Sequence, residues 1–591
     1  MKKLMTLVML MASASVAMQS CGSEDESWID EWYGTEGGTP QSGGTSSGSA
    51  TAASGELTTF SVDIDKTSAE PSTSATAYYP DEEDDLANNS FDTQVNIVFD
   101  GNSATYSAPD GVSVTVNGGH VVADHASTKG VCYTVSGSTS NGSLTIVGSK
   151  KYEVVLSGAS IVNPDSAALN MLCSKRAFLV LADGTSNMLS DGTSSVSDHK
   201  GALYCKGKLL IGGGNGSLEV YGNYNNGIHS ADYIVVGTGS NVYVKSTANH
   251  GIKANDGVFI NGGIVNVEVS AAAAKGINCE SNIIVNGGRT TVVTTGGGAY
   301  DSDDQEAKGS AGIKCDSTYT QNGGVVCLKS TGAGGKGLRA DWETYLNGGS
   351  LYVITEGSTY SSTGDTASPK GIKVGTKNVH GVLSLAGTTV MVRTKGNGGE
   401  GIESKGNITV SGGSVQVSAC DDALNSASDM VISGGDIVAV STTNDGIDSN
   451  GNLYIKGGSL VAFGAGGAEA GIDTGEQYRL YITGGSIFGI GGRIDATLGS
   501  TSQGIISTSG SVSANTLVTV SDGSTTLATF TMPPYSYSNG TVMLSAPGMS
   551  SGSSYTVSLG TSSASLTASN TISNTMGGGM PSGGTGGPGR R

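Results

Sequence analysis

A two-beat repeat fixes what this chain can fold into. One beat is a small residue, nearly always glycine, followed by an aliphatic anchor, at Leu203, Ile228, Ile252, Ile277, Ile313, Leu338, Ile372, Ile402, Leu424, Ile447 and Ile472. Steps between anchors cluster at about 25 residues. The second beat comes about ten residues later, a glycine pair that opens a short β-rich run: Gly262-Gly263, Gly287-Gly288, Gly323-Gly324, Gly348-Gly349, Gly412-Gly413, Gly434-Gly435, Gly457-Gly458 and Gly484-Gly485. Two marks in fixed order denote a solenoid. With 94 glycines, 11 prolines and 6% aromatics, the chain disfavours helices and suits short strands joined by tight turns. A coil of this length is too short for a propeller blade and lacks the helical period of ankyrin or TPR units. The pattern predicts an all-β chain, a right-handed single-stranded parallel β-helix whose turns stack at about 4.8 Å. Anchors fill the interior, and the glycine before each is expected to supply the backbone angles of a corner.

The pattern covers residues 131–510, read as the β-helix. Strand-like alternation in 58–130 is expected to form the N-terminal β cap and first coils, and 511–570 reads as a small C-terminal β-unit. The stretch 21–57 is rich in Gly, Ser and Thr and reads as a flexible tether; 571–591 reads as a disordered glycine-rich tail. Residues 1–20 carry Lys2 and Lys3, an apolar run and Met18-Gln19-Ser20 before Cys21, the form of a secretory signal. This resembles a bacterial lipoprotein signal, which makes Cys21 the lipidated residue. Glu24, Asp25 and Glu26 behind it resemble the surface-export signal of Bacteroidetes lipoproteins. The expected location is the outer membrane, lipid-anchored and facing outward. Cys205, Cys279 and Cys315 each sit two residues past an anchor, where other coils carry Ser, Ala or Thr, so the column reads as an inward position for small side chains. Bridging of Cys279 to Cys315 stays open.

Steps from Ile277 to Ile313, Leu338 to Ile372 and Ile372 to Ile402 are longer, and the excess is placed between the glycine-pair strand and the next anchor. Insertions leaving from one corner line one face, and Tyr300 and Tyr360 ride on them.

Chemistry concentrates in two columns. One residue past the anchor come Tyr204, His229, Lys253, Asn278, Lys314, Arg339, Lys373, Glu403, Asn425, Asp448 and Asp473, read as facing outward. Two residues before it come Asn226, His250, Lys275, Ala311, Lys336, Lys370, Glu400, Asp422, Asp445 and Ala470. Both switch from basic to acidic at the same coil. Carboxylates at rung spacing repel by about 1 kcal/mol per neighbour even in water. Glu400, Glu403, Asp421, Asp422, Asp445, Asp448 and Asp473 therefore require raised pKa values or a hard divalent cation between coils, and with amide oxygens such as that of Asn425 they suit Ca²⁺. The Asp301, Asp303, Asp304 and Glu306 loop is a second, weaker acidic cluster.

The coil pattern, the segments Asp421–Asn425 (DDALN) and Asn444–Asp448 (NDGID), the run at residues 179–192 and the terminal LSAPGMSSGSSYTVSLG together resemble a bacterial β-helix carbohydrate-binding family first recognised in a cellulolytic clostridium. The likeness runs from about residue 90 to 565. It implies a calcium-containing β-helix akin to pectate lyases that binds plant polysaccharides, acidic pectic chains included, and it makes Asp421, Asp422, Asp445 and Asp448 candidate ion ligands. Related lyases carry an acid where Asn425 stands, so one ligand here is neutral.

Three roles stay open. For a binder, Lys253, Lys275, Lys314, Lys336, Arg339, Lys370 and Lys373 form a row of cations suited to an anionic polysaccharide, although a net charge of −20 opposes it globally. Trp342 is the only tryptophan of the body and joins Tyr300 and Tyr360 as a ligand candidate. A calcium-dependent pectate lyase needs a positioned base, and Lys405, Lys456 and Arg479 are the basic residues near the acids, none in the two columns. An adhesive or structural stalk is the third. No catalytic residues are assigned and no nucleic-acid partner is expected; a glycan-uptake system is a possible neighbour.

Overall fold

The computed structural model describes residues 50–572, apart from 52–56, 58–59, 68–69, 72–74, 195–197 and 476. The segment expected to be a lipoprotein signal, with Cys21, most of the expected tether and nearly all of the expected tail therefore lie outside the described residues.

The chain is a parallel β-solenoid of about 15 stacked turns with 1% helix. Each regular coil gives three strands. The anchor strand, such as Glu400–Ser404, belongs to a 16-stranded sheet; the two that follow, such as Asn407–Val410 and Ser414–Ala419, build the ladders of a larger sheet. Every anchor from Leu203 to Ile472 pairs in register with the next. All are buried, so the solenoid holds one continuous apolar core. The position two past the anchor also faces inward: Cys205, Ser230, Ala254, Cys279, Cys315 and Ala340 are fully buried. Cys279 and Cys315 are register partners and both are free thiols.

Glycine serves two purposes here, and the expected one falls at the other beat. The glycines before the anchors lie outside the left-handed region, whereas the second glycine of each pair, from Gly263 (φ 77°) to Gly485 (φ 83°), turns left-handed. What the pre-anchor position lacks is room. A Cβ at Gly401 would fall 2.6 Å from the Ala423 carbonyl oxygen and 2.2 Å from a Val417 methyl carbon.

The insertions also divide. Those after the Ile277 and Leu338 coils are β-hairpins, Ala299–Lys308 and Tyr360–Ala367, joined where the Ala307 N–H donates to Asp365 Oδ2 at 2.5 Å. The excess in the Ile372 coil instead lies directly after the anchor strand, where Thr376 bridges Val379, so it leaves from a different corner.

Strands from Thr93 onward close the N-terminal end with antiparallel hairpins. The described residues between Phe60 and Phe91 instead run along the outside of the solenoid, against the direction of stacking. Phe60 meets Tyr352 and Arg393, Lys66 pairs with Glu219 at 2.7 Å, and Glu70 accepts from the Gly239 and Gly263 amides. Tyr78 exchanges two backbone bonds with the Asn261 amide, which starts a side-chain ladder through Asn286, Asn322 and Asn347. The strap ends at Arg176, which holds Glu83 at 2.7 Å and the buried Asp84 at 2.6 Å. At the far end, Ser536–Ser545 pairs antiparallel with Leu480–Gly491 and Ile505–Val512, and a four-stranded antiparallel sheet follows.

Candidate functional site

The column one past the anchor runs in register from Tyr204 to Asp473, and Asp495 extends it. Its companion two before the anchor meets it side by side: Lys370 Nζ lies 3.6 Å from Glu403, and Asn425 Nδ2 donates to Asp422 Oδ2 at 3.3 Å.

The second column is not a surface row. Lys275, Lys336, Lys370, Glu400, Asp422 and Asp445 are all buried. Its members turn back against the backbone one coil on: His250 Nδ1 accepts from the Lys275 N–H, Asp422 Oδ1 from Asp445, and Asp445 Oδ1 from Ala470. Each of these bonds ties a side chain to the backbone of the next turn, so the column stitches the corner.

At the coil where the sign changes, Lys370 holds Glu400 at 2.7 Å and Lys405 holds Glu403 at 2.5 Å. Glu400 Oε2 is buried and has no partner. Beyond it the carboxylates face one another. Burial, ahead of repulsion from its neighbours, raises Glu400 and Asp448 to about 7, Asp473 to about 8 and Asp445 to about 9. Asp422 is raised well above the ordinary carboxylate range by burial and by Asp448. Arg493 offsets part of the charge at Asp473, and amides relieve two others: Asn444 donates to Asp421 at 2.9 Å and Asn450 to Asp448 at 3.0 Å.

The donor chemistry suits a hard divalent cation, with carboxylates short of counter-charge, an unpartnered buried oxygen at Glu400 and three amides that present oxygen when turned over. The placement supplies no ready cage, since among the described residues no group of three or more His, Cys, Asp or Glu side chains is arranged to hold a metal ion. The Asp301 loop is answered differently. Lys308 pairs with Asp301, Asp304 and Glu306, so an ammonium already stands at its centre.

The basic half is less open than a row of cations suggests. Lys275, Lys336, Arg339, Lys370 and Lys373 are buried, while Lys253 and Lys314 keep partial exposure. Lys275 gives its ammonium to the carbonyls of Ala273 and Gly309, each at 2.7 Å, and burial lowers it to about 7. Three acids placed three past an anchor answer three of the others: Lys253 meets Glu280 at 2.8 Å, Arg339 meets Asp341 at 2.7 Å, and Lys314 pairs with both Asp316 and Asp341. Because the same position carries Lys, Ala, Asn or Gly in the other coils, no acidic period marks these three in the sequence. Glu469, Arg493 and Asp495 at the upper end were missed because the repeat becomes irregular there. Trp342 sits on the corner next to Asp341 and is 55% exposed, more than any other tryptophan or tyrosine on the described solenoid coils. Tyr300 and Tyr360 are half-buried, with the Tyr360 ring against Gly298.

Comparison with known proteins bears on these features. The sequence profile of a family described as carbohydrate-binding domain-containing protein matches residues 117–273 and 380–585, together more than half of the chain. A carbohydrate-binding domain-containing protein of Acetivibrio thermocellus is 31% identical over 163 residues, 26% of this chain and 54% of that protein. The chain thus spans about half the length of that relative. A solved structure described as a polysaccharide lyase-like protein from C. thermocellum, in a gadolinium derivative, is 23% identical and aligns over 49% of this chain and 96% of its own at a TM-score of 0.33.

Proposed function

The chain belongs to the family of carbohydrate-binding domain-containing proteins, and on that premise we propose that it binds acidic, pectin-like polysaccharide through calcium held along its acidic corner. The observation that carries this reading is the crowding of carboxylates along that corner, Asp448, Asp473 and Asp495 in register beside Glu400, Asp421, Asp422 and Asp445, several raised to neutrality or above. Asp421, Asp422, Asp445, Asp448 and Asp473, with the Asn425 amide oxygen and the Glu400 Oε2 that its pair with Lys370 leaves over, would hold the ions; Glu403 already meets both Lys405 and Lys370. A calcium ion there supplies counter-charge and open positions that uronate carboxylates fill. The chain's own residues hold the corner in line, and exposed Trp342 offers a ring face for a sugar several coils below. We place the protein at the outer membrane by a lipid on Cys21, outward-facing, where a glycan-uptake system can take delivery.

Retention on polygalacturonate is the test, measured in calcium, in magnesium and in excess chelator, with absorbance of unsaturated products followed in the same tubes. Calcium-dependent retention without product is expected. Product would make the chain a lyase; of its named bases, Lys405 is buried and bound to Glu403, and Arg479 donates to the Tyr478 carbonyl. Absence of retention on any polysaccharide would leave the stalk reading.

A further inference from the structure

The C-terminal unit carries almost no charge. Asp522 is the only ionisable acid or base among Asp, Glu, Lys, Arg and His between Ala496 and Ile572, in a chain of net charge −20. Its four strands lie in the order Thr525–Thr531, Leu517–Asp522, Ser554–Leu559 and Ser562–Thr567. The last pairs on one side only, with Ser554–Leu559, in an unbroken antiparallel register from Ser562 to Thr567. Among the described residues nothing takes its outer edge.

An unpaired edge is a template for another strand, and proteins blunt it with lysine, proline, a bulge or a covering segment. Ser562–Thr567 has none of these. Its sequence is SSASLT, and all six residues are exposed except the half-buried Leu566. The other terminal edges differ. Ser103–Ser107 begins beside Asp100 and ends near Asp110, Ser113 of the strand Ser113–Asn117 lies opposite Asp124, and Thr525–Thr531 opens at the turn that holds Asp522. Those edges carry a carboxylate at or beside one end; Ser562–Thr567 carries none.

We infer that Ser562–Thr567 pairs antiparallel with the same strand of a second copy of this chain, joining two four-stranded sheets across a two-fold axis. A second copy is the occupant the charge distribution selects. Two bodies of charge −20 repel where their acidic coils approach, and between Ala496 and Ile572 only Asp522 adds to that repulsion. A two-fold contact brings a patch against itself, and an antiparallel edge is self-complementary by construction. Six residues make a small contact, so the dimer is concentration-dependent. Two solenoids so joined engage one polymer bivalently.

Sedimentation of the full chain over a concentration series tests this, with Ser563→Lys/Ser565→Lys and Ser563→Glu/Ser565→Glu double variants alongside. Wild type is expected to show a monomer–dimer equilibrium. Each double variant, its fold checked by circular dichroism and melting temperature, should raise the dissociation constant about tenfold or more through like-charge repulsion, and a 1:1 mixture of the two should recover the dimer. Wild type that stays monomeric at its highest soluble concentration overturns the inference. So do variants that dimerise as well as wild type, or folded variants whose mixture fails to associate.

Discussion

At Asp445 two demands meet on one carboxylate. Its Oδ1 accepts the Ala470 N–H at 2.5 Å, a bond that favours the charged form, while burial and the neighbouring Asp473 and Asp448 oppose charge and raise it to about 9. Asparagine keeps the acceptor and removes the charge at nearly the same volume. In chelator at pH 8, Asp445→Asn should therefore melt a few degrees above wild type, because wild type must take up a proton to bury this carboxyl whereas asparagine is neutral without one and opens no cavity. Calcium should raise its melting temperature less than it raises that of wild type. Differential scanning fluorimetry of both proteins in chelator and in calcium decides. A melting temperature lowered equally in both conditions would assign Asp445 to backbone stitching alone. Gly401 sets the opposite rule, since any side chain there meets the next coil's carbonyl, and overpacking of this kind costs about 1–3 kcal/mol.

At the scale of the column, the acids act together and the pH dependence has a definite sign. Glu400, Asp448, Asp473 and Asp445 titrate at about 7, 7, 8 and 9 when folded, against ordinary values of 4.5 for Glu and 3.8 for Asp. Between about pH 4 and pH 9 the folded chain binds more protons than the unfolded one, so stability falls as pH rises through that window. Thermal melts in chelator should drop by several degrees from pH 5 to pH 9. Calcium should restore most of the loss at pH 8 and change little at pH 5, where protons already occupy the site; a flat profile in chelator would sink the cation reading. The strap makes a separate prediction. Arg176→Met strands the buried Asp84 carboxylate and should destabilise the strap by about 3–5 kcal/mol. Limited proteolysis should then cut between residues 60 and 91 before the solenoid, while wild type resists. These elements differ in how far the sequence exposed them. The anchors could be stacked from spacing alone, because a solenoid converts equal sequence steps into contact. The burial of Asp422 and Lys336 could not, because it depends on how the chain enters the anchor strand. The strap had no local signal at all: Asp84 and Arg176 are 92 residues apart, Asp84 lies outside the repeat, and Arg176 comes before the first anchor at Leu203.

For the whole molecule, the net charge of −20 decides how binding should respond to salt. If exposed lysines and arginines held an acidic polysaccharide, sodium chloride would weaken retention, because screening cuts attraction between opposite charges. Most of those cations are buried or already matched, Lys253 to Glu280, Arg339 to Asp341 and Lys370 to Glu400. What an approaching polyanion meets is a field of its own sign. Screening that field should strengthen retention, and calcium should strengthen it further than sodium chloride at equal ionic strength, because only the divalent ion joins the acidic corner to a uronate. Affinity electrophoresis through polygalacturonate checks both arms. Rising retention along the sodium series, with an extra step in calcium, supports a bridge at Glu400 to Asp495. Retention that falls as sodium chloride is added would move the contact to the cation row, where Lys253 and Lys314 keep the exposure to make it.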